Sequence, residues 1–180
     1  MRWFLSLLIL SGGGVGGGAL FTDSPPPGHT GGFGEPTCQA CHAGGPLDTA
    51  GPALRLDSLP GTYEAGATYR ITVRLTRAAM ARAGFQLSAR FADGRQAGTL
   101  AALDSLTSVV PLRGVQYVSH TLAGSEAVAH DTARWAVVWT APAAGQGPVV
   151  VHVAANASND DASPFGDFIH TRHYALEPPR

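Results

Sequence analysis

From Leu59 onward the chain is written in short runs that alternate apolar with polar residues, and this period of two decides what it can fold into. Tyr69, Ile71, Val73 and Leu75 point one way, while Arg70, Thr72, Arg74 and Thr76 point the other. Phe85, Leu87, Ala89 and Phe91 alternate with Gln86, Ser88 and Arg90, and Ala92-Asp93-Gly94 closes that run as a turn. Both read as strands with one face in a core and the other in water. Further strands are expected over 98–102, 115–121, 134–140, 149–155 and 168–176, with Trp135, Val137 and Trp139 sharing one face. Pro142, Gly145 and Gly147-Pro148 separate the strand of the tryptophans from Val149-Val150-Val151. About seven short strands with turn signals between them predict an all-β fold, an antiparallel β-sandwich over residues 59–177. The one helical candidate, 77–83, reads equally well as a connecting turn.

The residues before this region carry the chemistry. From about 22 to 58 the chain is rich in Gly and Pro and has no regular period, and it contains Cys38-Gln39-Ala40-Cys41-His42. A C-x-x-C-H pentapeptide is the attachment signature of c-type haem: two thiols add to the haem vinyl groups and the adjacent imidazole ligates the iron. These are the only two cysteines in the chain. A closed zinc site needs four ligands; neither a second C-x-x-C nor an H-x3–5-H pair is present, and completion by distant histidines is the remaining zinc reading. A thioredoxin-like pair opens a helix after a strand, whereas the flanks here, Gly31-Gly32-Phe33-Gly34 before and Ala43-Gly44-Gly45-Pro46 after, read as loop. A long structureless stretch in a compact protein is normally functional, and residues 22–58 are read as a loop wrapped around one covalent haem c.

Length and charge narrow the rest. One hundred and eighty residues suffice for one domain with a core, and a net charge of −1 gives no reason to expect nucleic acid as a partner. All the positive side chains are Arg, and Arg70, Arg74, Arg77, Arg82, Arg90 and Arg95 gather in one stretch, read as the wet face of two strands. Met1-Arg2 followed by Trp3-Phe4-Leu5-Ser6-Leu7-Leu8-Ile9-Leu10 has the form of a secretory signal. Its apolar core is far short of the ~20 residues that a membrane span needs. Residues 1–21 are therefore expected to be a signal peptide, or else an N-terminal anchor that gives membrane association. Export to the periplasm or beyond agrees with a haem linkage made outside the cytoplasm.

Three stretches together point to a known group. Leu59-Pro60-Gly61-Thr62-Tyr63-Glu64-Ala65-Gly66-Ala67-Thr68-Tyr69 runs on to Gly84-Phe85-Gln86-Leu87; Trp135-Ala136-Val137-Val138-Trp139-Thr140-Ala141-Pro142 follows; and Ala154-Ala155-Asn156-Ala157-Ser158-Asn159-Asp160 precedes Gly166-Asp167-Phe168-Ile169. The pattern resembles the Reeler-type (reelin N-terminal-like) bacterial domains of the choice-of-anchor V group, which carry a Gly-rich segment ending in C-x-x-C-H ahead of the sandwich. The resemblance spans roughly residues 28–176. It implies an immunoglobulin-like β-sandwich, secreted or surface-held, with a haem c. Many relatives continue into a C-terminal anchor; here the sequence reads Glu177-Pro178-Pro179-Arg180 with no apolar run, so anchoring through that end is not expected.

With haem in place, Cys38, Cys41 and His42 are the cofactor-binding residues, and His42 is the proximal iron ligand. The sixth ligand is assigned to His120, in Tyr117-Val118-Ser119-His120-Thr121 on an expected strand, a position where relatives tend to carry a His-Thr pair. Met80, in an Arg- and Ala-rich setting that reads as surface, and His29, in the loop, are the alternatives. His152 is expected at an edge or in solvent, His170 and His173 at the surface, and His130 in a loop. Asn159-Asp160-Asp161 to Asp167 offers oxygen ligands without calcium-loop spacing and is read as polar turn. No nucleophile triad or phosphate loop stands out, so the protein is not expected to be an enzyme. The reading is an exported monohaem c-type cytochrome that transfers electrons with soluble or membrane redox proteins. The alternatives are a haem-based redox or gas sensor, or a surface interaction module.

Overall fold

The computed structural model describes residues 23–144 and 146–179; the leader read over 1–21 lies outside them. Among the described residues there are eleven strands: β1 (Ala43–Gly44), β2 (Leu54–Asp57), β3 (Thr68–Thr76), β4 (Arg82–Phe91), β5 (Thr99–Ala102), β6 (Thr107–Leu112), β7 (Val115–His120), β8 (Val128–Ala129), β9 (Thr132–Thr140), β10 (Val149–Ser158) and β11 (Phe165–Leu176). They form an all-β sandwich. One sheet runs β1-β11-β10-β4-β7-β6 and the other β2-β3-β9-β5, with β8 beside β9. All pairings are antiparallel except that of β1 with β11.

The period of two does what it predicts between the sheets. Ile71, Val73 and Leu75 of β3 and Trp135, Val137 and Trp139 of β9 face Phe85, Leu87 and Ala89 of β4 and Val149, Val151 and Val153 of β10 in one core. Each buried indole finds an acceptor: Trp135 Nε1 donates to the Gly124 carbonyl at 2.9 Å and Trp139 Nε1 to the Ala97 carbonyl at 2.9 Å. Truncating either ring would cost about 3–5 kcal/mol.

The other face of β4 is not wet. Gln86, Ser88 and Arg90 are 0%, 0% and 6% exposed, because the segment 24–36 lies across this outer face as a strap. Gln86 donates from Nε2 to the Pro26 carbonyl at 3.1 Å, and its Oε1 accepts from the His29 amide at 2.6 Å. Arg90 pairs with Glu35 and bonds Tyr117 Oη, while Thr30 Oγ1 donates to Glu35 Oε2 at 2.6 Å. Phe33 meets the His152 ring edge-on at 5.1 Å, and Gly32 lies so close to that ring that a Cβ would drive into it. Arg90 thus leaves the expected wet face and becomes the buried anchor of the strap.

Other expectations also change. Residues 77–81 are a turn leading into β4, whose first residues are 82 and 83, and the α-helix is instead α1 (Leu122–Glu126), capped by Thr121 Oγ1 on the Gly124 amide at 3.2 Å. Met80 is 6% exposed and belongs to the core. His170 is 3% exposed, with Nδ1 2.8 Å from Asp48 Oδ2, because the loop after β1 closes over β11 through an Asp48–His170 bridge. His152 is half-buried between the strap and the His173 ring, and His173 is exposed. Among the described residues no helix is long and apolar enough to cross a membrane.

Candidate functional site

The C-x-x-C-H motif stands where the strap ends. Cys38–Ala40 is one turn of 3-10 helix, begun by Thr37, whose side chain accepts from the Gln39 amide at 3.1 Å. The Cys38 carbonyl accepts from both the Cys41 amide, at 3.2 Å, and the His42 amide, at 2.9 Å. This tight turn brings both sulfurs and the imidazole to one end of the segment. Cys38 is half-buried and Cys41 exposed, both as free thiols. Burial pushes the Cys38 thiol up to about 12, so it is a neutral thiol rather than a thiolate.

His42 is held by a residue far away in sequence. Its Nδ1 lies 2.6 Å from Asp167 Oδ2 on β11. The Asp167 side chain is fully buried, whereas that of His42 is 40% exposed. Asn156 on β10 donates from Nδ2 to the same Oδ2 at 3.1 Å. The second carboxylate oxygen, Asp167 Oδ1, is buried without a hydrogen-bond partner, as is Asn156 Oδ1. A carboxylate accepting at Nδ1 fixes the ring's proton there and leaves Nε2 as the basic nitrogen, the tautomer a metal-bound imidazole needs. A hydrogen bond of this charge-assisted kind is worth about 1.5–3 kcal/mol.

His120 ends β7 on the neighbouring part of the sheet. The paired register of β4 and β7 covers Gln86↔Ser119 and Leu87↔Val118. Next along, the His120 ring takes up the backbone of Phe85, with Nδ1 3.0 Å from its amide nitrogen and 3.3 Å from its carbonyl oxygen. Gly84 makes this approach possible. Burial holds His120 below the ordinary imidazole range; the bond to Phe85 pulls the other way, and the nearby His42 adds to the lowering. The two imidazoles expected to share an iron therefore stand within each other's electrostatic reach.

The remaining candidates sit elsewhere. Met80 is packed in the core beside a cavity that it lines with Arg77 and Phe168. His29 turns Nδ1 to the Pro26 carbonyl at 2.9 Å, inside the strap. Among the described residues no three His, Cys, Asp or Glu side chains group into the ligand set of a bare metal ion. Two large apolar residues near these histidines along the chain or strand pairing are exposed: Leu122, 42% exposed, two residues after His120, and Phe165, 67% exposed, which pairs with Ala43 next to His42. The C-x-x-C-H donors and the tautomer of His42 fit a haem c.

Sequence reasoning missed Asp167 and Asn156. Both stood in view, in Ala154-Ala155-Asn156 and Gly166-Asp167-Phe168, but nothing local tied either to His42.

No protein-family model matches the chain, and no curated protein matches it in sequence. Solved structures do share its architecture. The human F-spondin reeler domain (fragment 1) matches with a TM-score of 0.55 at 22% identity, over 75% of this chain and 95% of that one. The Reelin-N domain of F-spondin matches with a TM-score of 0.55 at 22% identity, over 79% and 96%. The fold is Reeler-like. At that identity the likeness speaks for the sandwich alone. The Reeler-like sandwich supplies β10 and β11, which carry Asn156 and Asp167, and β7, which carries His120.

Proposed function

We propose that this protein is an exported monohaem c-type cytochrome built on an immunoglobulin-like, Reeler-like sandwich, passing single electrons between soluble or membrane redox proteins. Cys38 and Cys41 would hold the haem as thioethers, and His42 and His120 would ligate its iron. The observation that carries this reading is the bond from His42 Nδ1 to the buried carboxylate of Asp167, which presents Nε2 for a metal. When bound, haem c supplies a one-electron Fe(III)/Fe(II) couple. The chain's part is to hold both imidazoles against neighbouring strands, His42 against Asp167 of β11 and His120 against Phe85 of β4. Expression in a host with a haem-attachment system, followed by mass measurement and haem staining on a denaturing gel, tests it. A stained band lost in Cys38→Ser and Cys41→Ser is expected; a mature wild-type protein with both thiols free and no Soret band overturns it.

One atom favours a second reading, haem-based sensing. His120 Nδ1 stands closer to the Phe85 amide than to its carbonyl. Accepting from that amide puts the ring's proton on Nε2 and takes away the iron-binding lone pair. Ligation selects the other tautomer, with Nδ1 donating to the carbonyl. A low-spin spectrum indifferent to carbon monoxide marks electron transfer, and rapid carbon monoxide binding marks the sensor.

A further inference from the structure

A histidine that ligates a metal through one ring nitrogen is tuned by whatever accepts from the other. On His42 that acceptor is a carboxylate, not a carbonyl, and the carboxylate is fully buried, 2.6 Å from Nδ1. A negative charge in a water-poor setting acts more strongly than one in solvent. Asp167 also has little else to spend that charge on. Among the described residues its Oδ1 has no hydrogen-bond partner, and Asn156 is the one other side-chain donor to Oδ2. The acceptor strength that reaches His42 is therefore set by two side chains on adjacent strands of the rigid sheet.

We propose that Asp167 is a positioning residue that sets the reduction potential of this site low. By drawing the Nδ1 proton toward itself it makes His42 Nε2 a stronger donor and favours the oxidised metal, so the physiological electron source is a strongly reducing one-electron donor protein. Asn156 works against it, because its bond to Oδ2 withdraws part of the charge that the imidazole would otherwise feel. One electron is taken up on reduction, and no protein bond is made or broken. The inference rests on the haem reading above.

The test is a spectroelectrochemical titration of the haem-loaded full chain in three forms: wild type, Asp167→Asn and Asn156→Ala. Removing the carboxylate should favour the reduced form at least tenfold at a fixed solution potential, which is about 59 mV upward for one electron. Removing Asn156 should move the midpoint downward. Opposite signs from neighbouring residues are not what general loosening of the site would produce. Should Asp167→Asn fail to accumulate, the Asn156→Ala midpoint still decides, and an unmoved or raised value there overturns the inference. Haem-loaded variants whose midpoints match wild type also sink it while leaving the cytochrome reading intact. Wild type without covalent haem overturns both.

Discussion

The ring of His120 lies directly over Gly84: a Cβ added to that glycine would come within 2.5 Å of the ring's Cε1. A side chain at the end of one strand is thereby pressed against the backbone of the next, where it bonds Phe85.

Gly84→Ala should push the ring off Phe85. The loss of that hydrogen bond is expected to lower stability by about 1 kcal/mol, read from urea unfolding. In the haem-loaded protein the low-spin spectrum should weaken and carbon monoxide binding should appear. An unchanged spectrum would remove His120 from the metal.

His120→Ala and His29→Ala separate the two histidines as sixth ligand. The first should give a high-spin ferrous form that binds carbon monoxide at once. The second should leave the spectrum as it is, since His29 is engaged with Pro26 and Gln86 within the strap. The reverse pattern would assign the ligand to His29.

The strap should loosen in acid. Burial alone would raise the Glu35 carboxyl, but hydrogen bonds from Thr30, Tyr117 and Arg90 outweigh it and hold the group below its ordinary value. A folded value below the unfolded one means stabilisation that is full above the ordinary carboxylate range and is lost as pH falls through the folded value. Glu35→Gln should cost about 3 kcal/mol at neutral pH, leaving Arg90 buried without its counter-charge. Urea midpoints of variant and wild type should then converge on acidification; parallel curves would contradict the assignment.

Met80→Ala should behave as a core truncation, costing about 2–5 kcal/mol of stability while leaving the haem spectrum alone. A spectral change with intact folding would return the thioether to the list of ligands.

The long strands were legible because their core-facing apolar residues recur at every second position. The runs starting at Tyr69, Phe85, Arg134 and Val149 lie within β3, β4, β9 and β10. Leu54–Asp57 escaped because four residues between Gly- and Pro-rich flanks give too little period to register, and Thr107–Leu112 because Pro111 and the adjacent Val109-Val110 break it. The polar residues of β4 misled for a different reason. Gln86, Ser88 and Arg90 look solvated until the strap covers them, and a buried polar face satisfied by a distant segment leaves no local mark. The site divides the same way. Cys38, Cys41 and His42 announce themselves by spacing, whereas Asp167 is 125 residues from His42 and is brought near by the pairing of β1 with β11, where Gly44 stands opposite Asp167.

That separation orders events during synthesis. A chain emerging N-terminus first presents both thiols and the imidazole well before β11 exists, so any chemistry on the cysteines at that stage meets a ring still free to rotate. Docking of the last strand is what freezes the ring, and a nascent chain cut before residue 165 would keep the attachment motif yet never acquire its orientation.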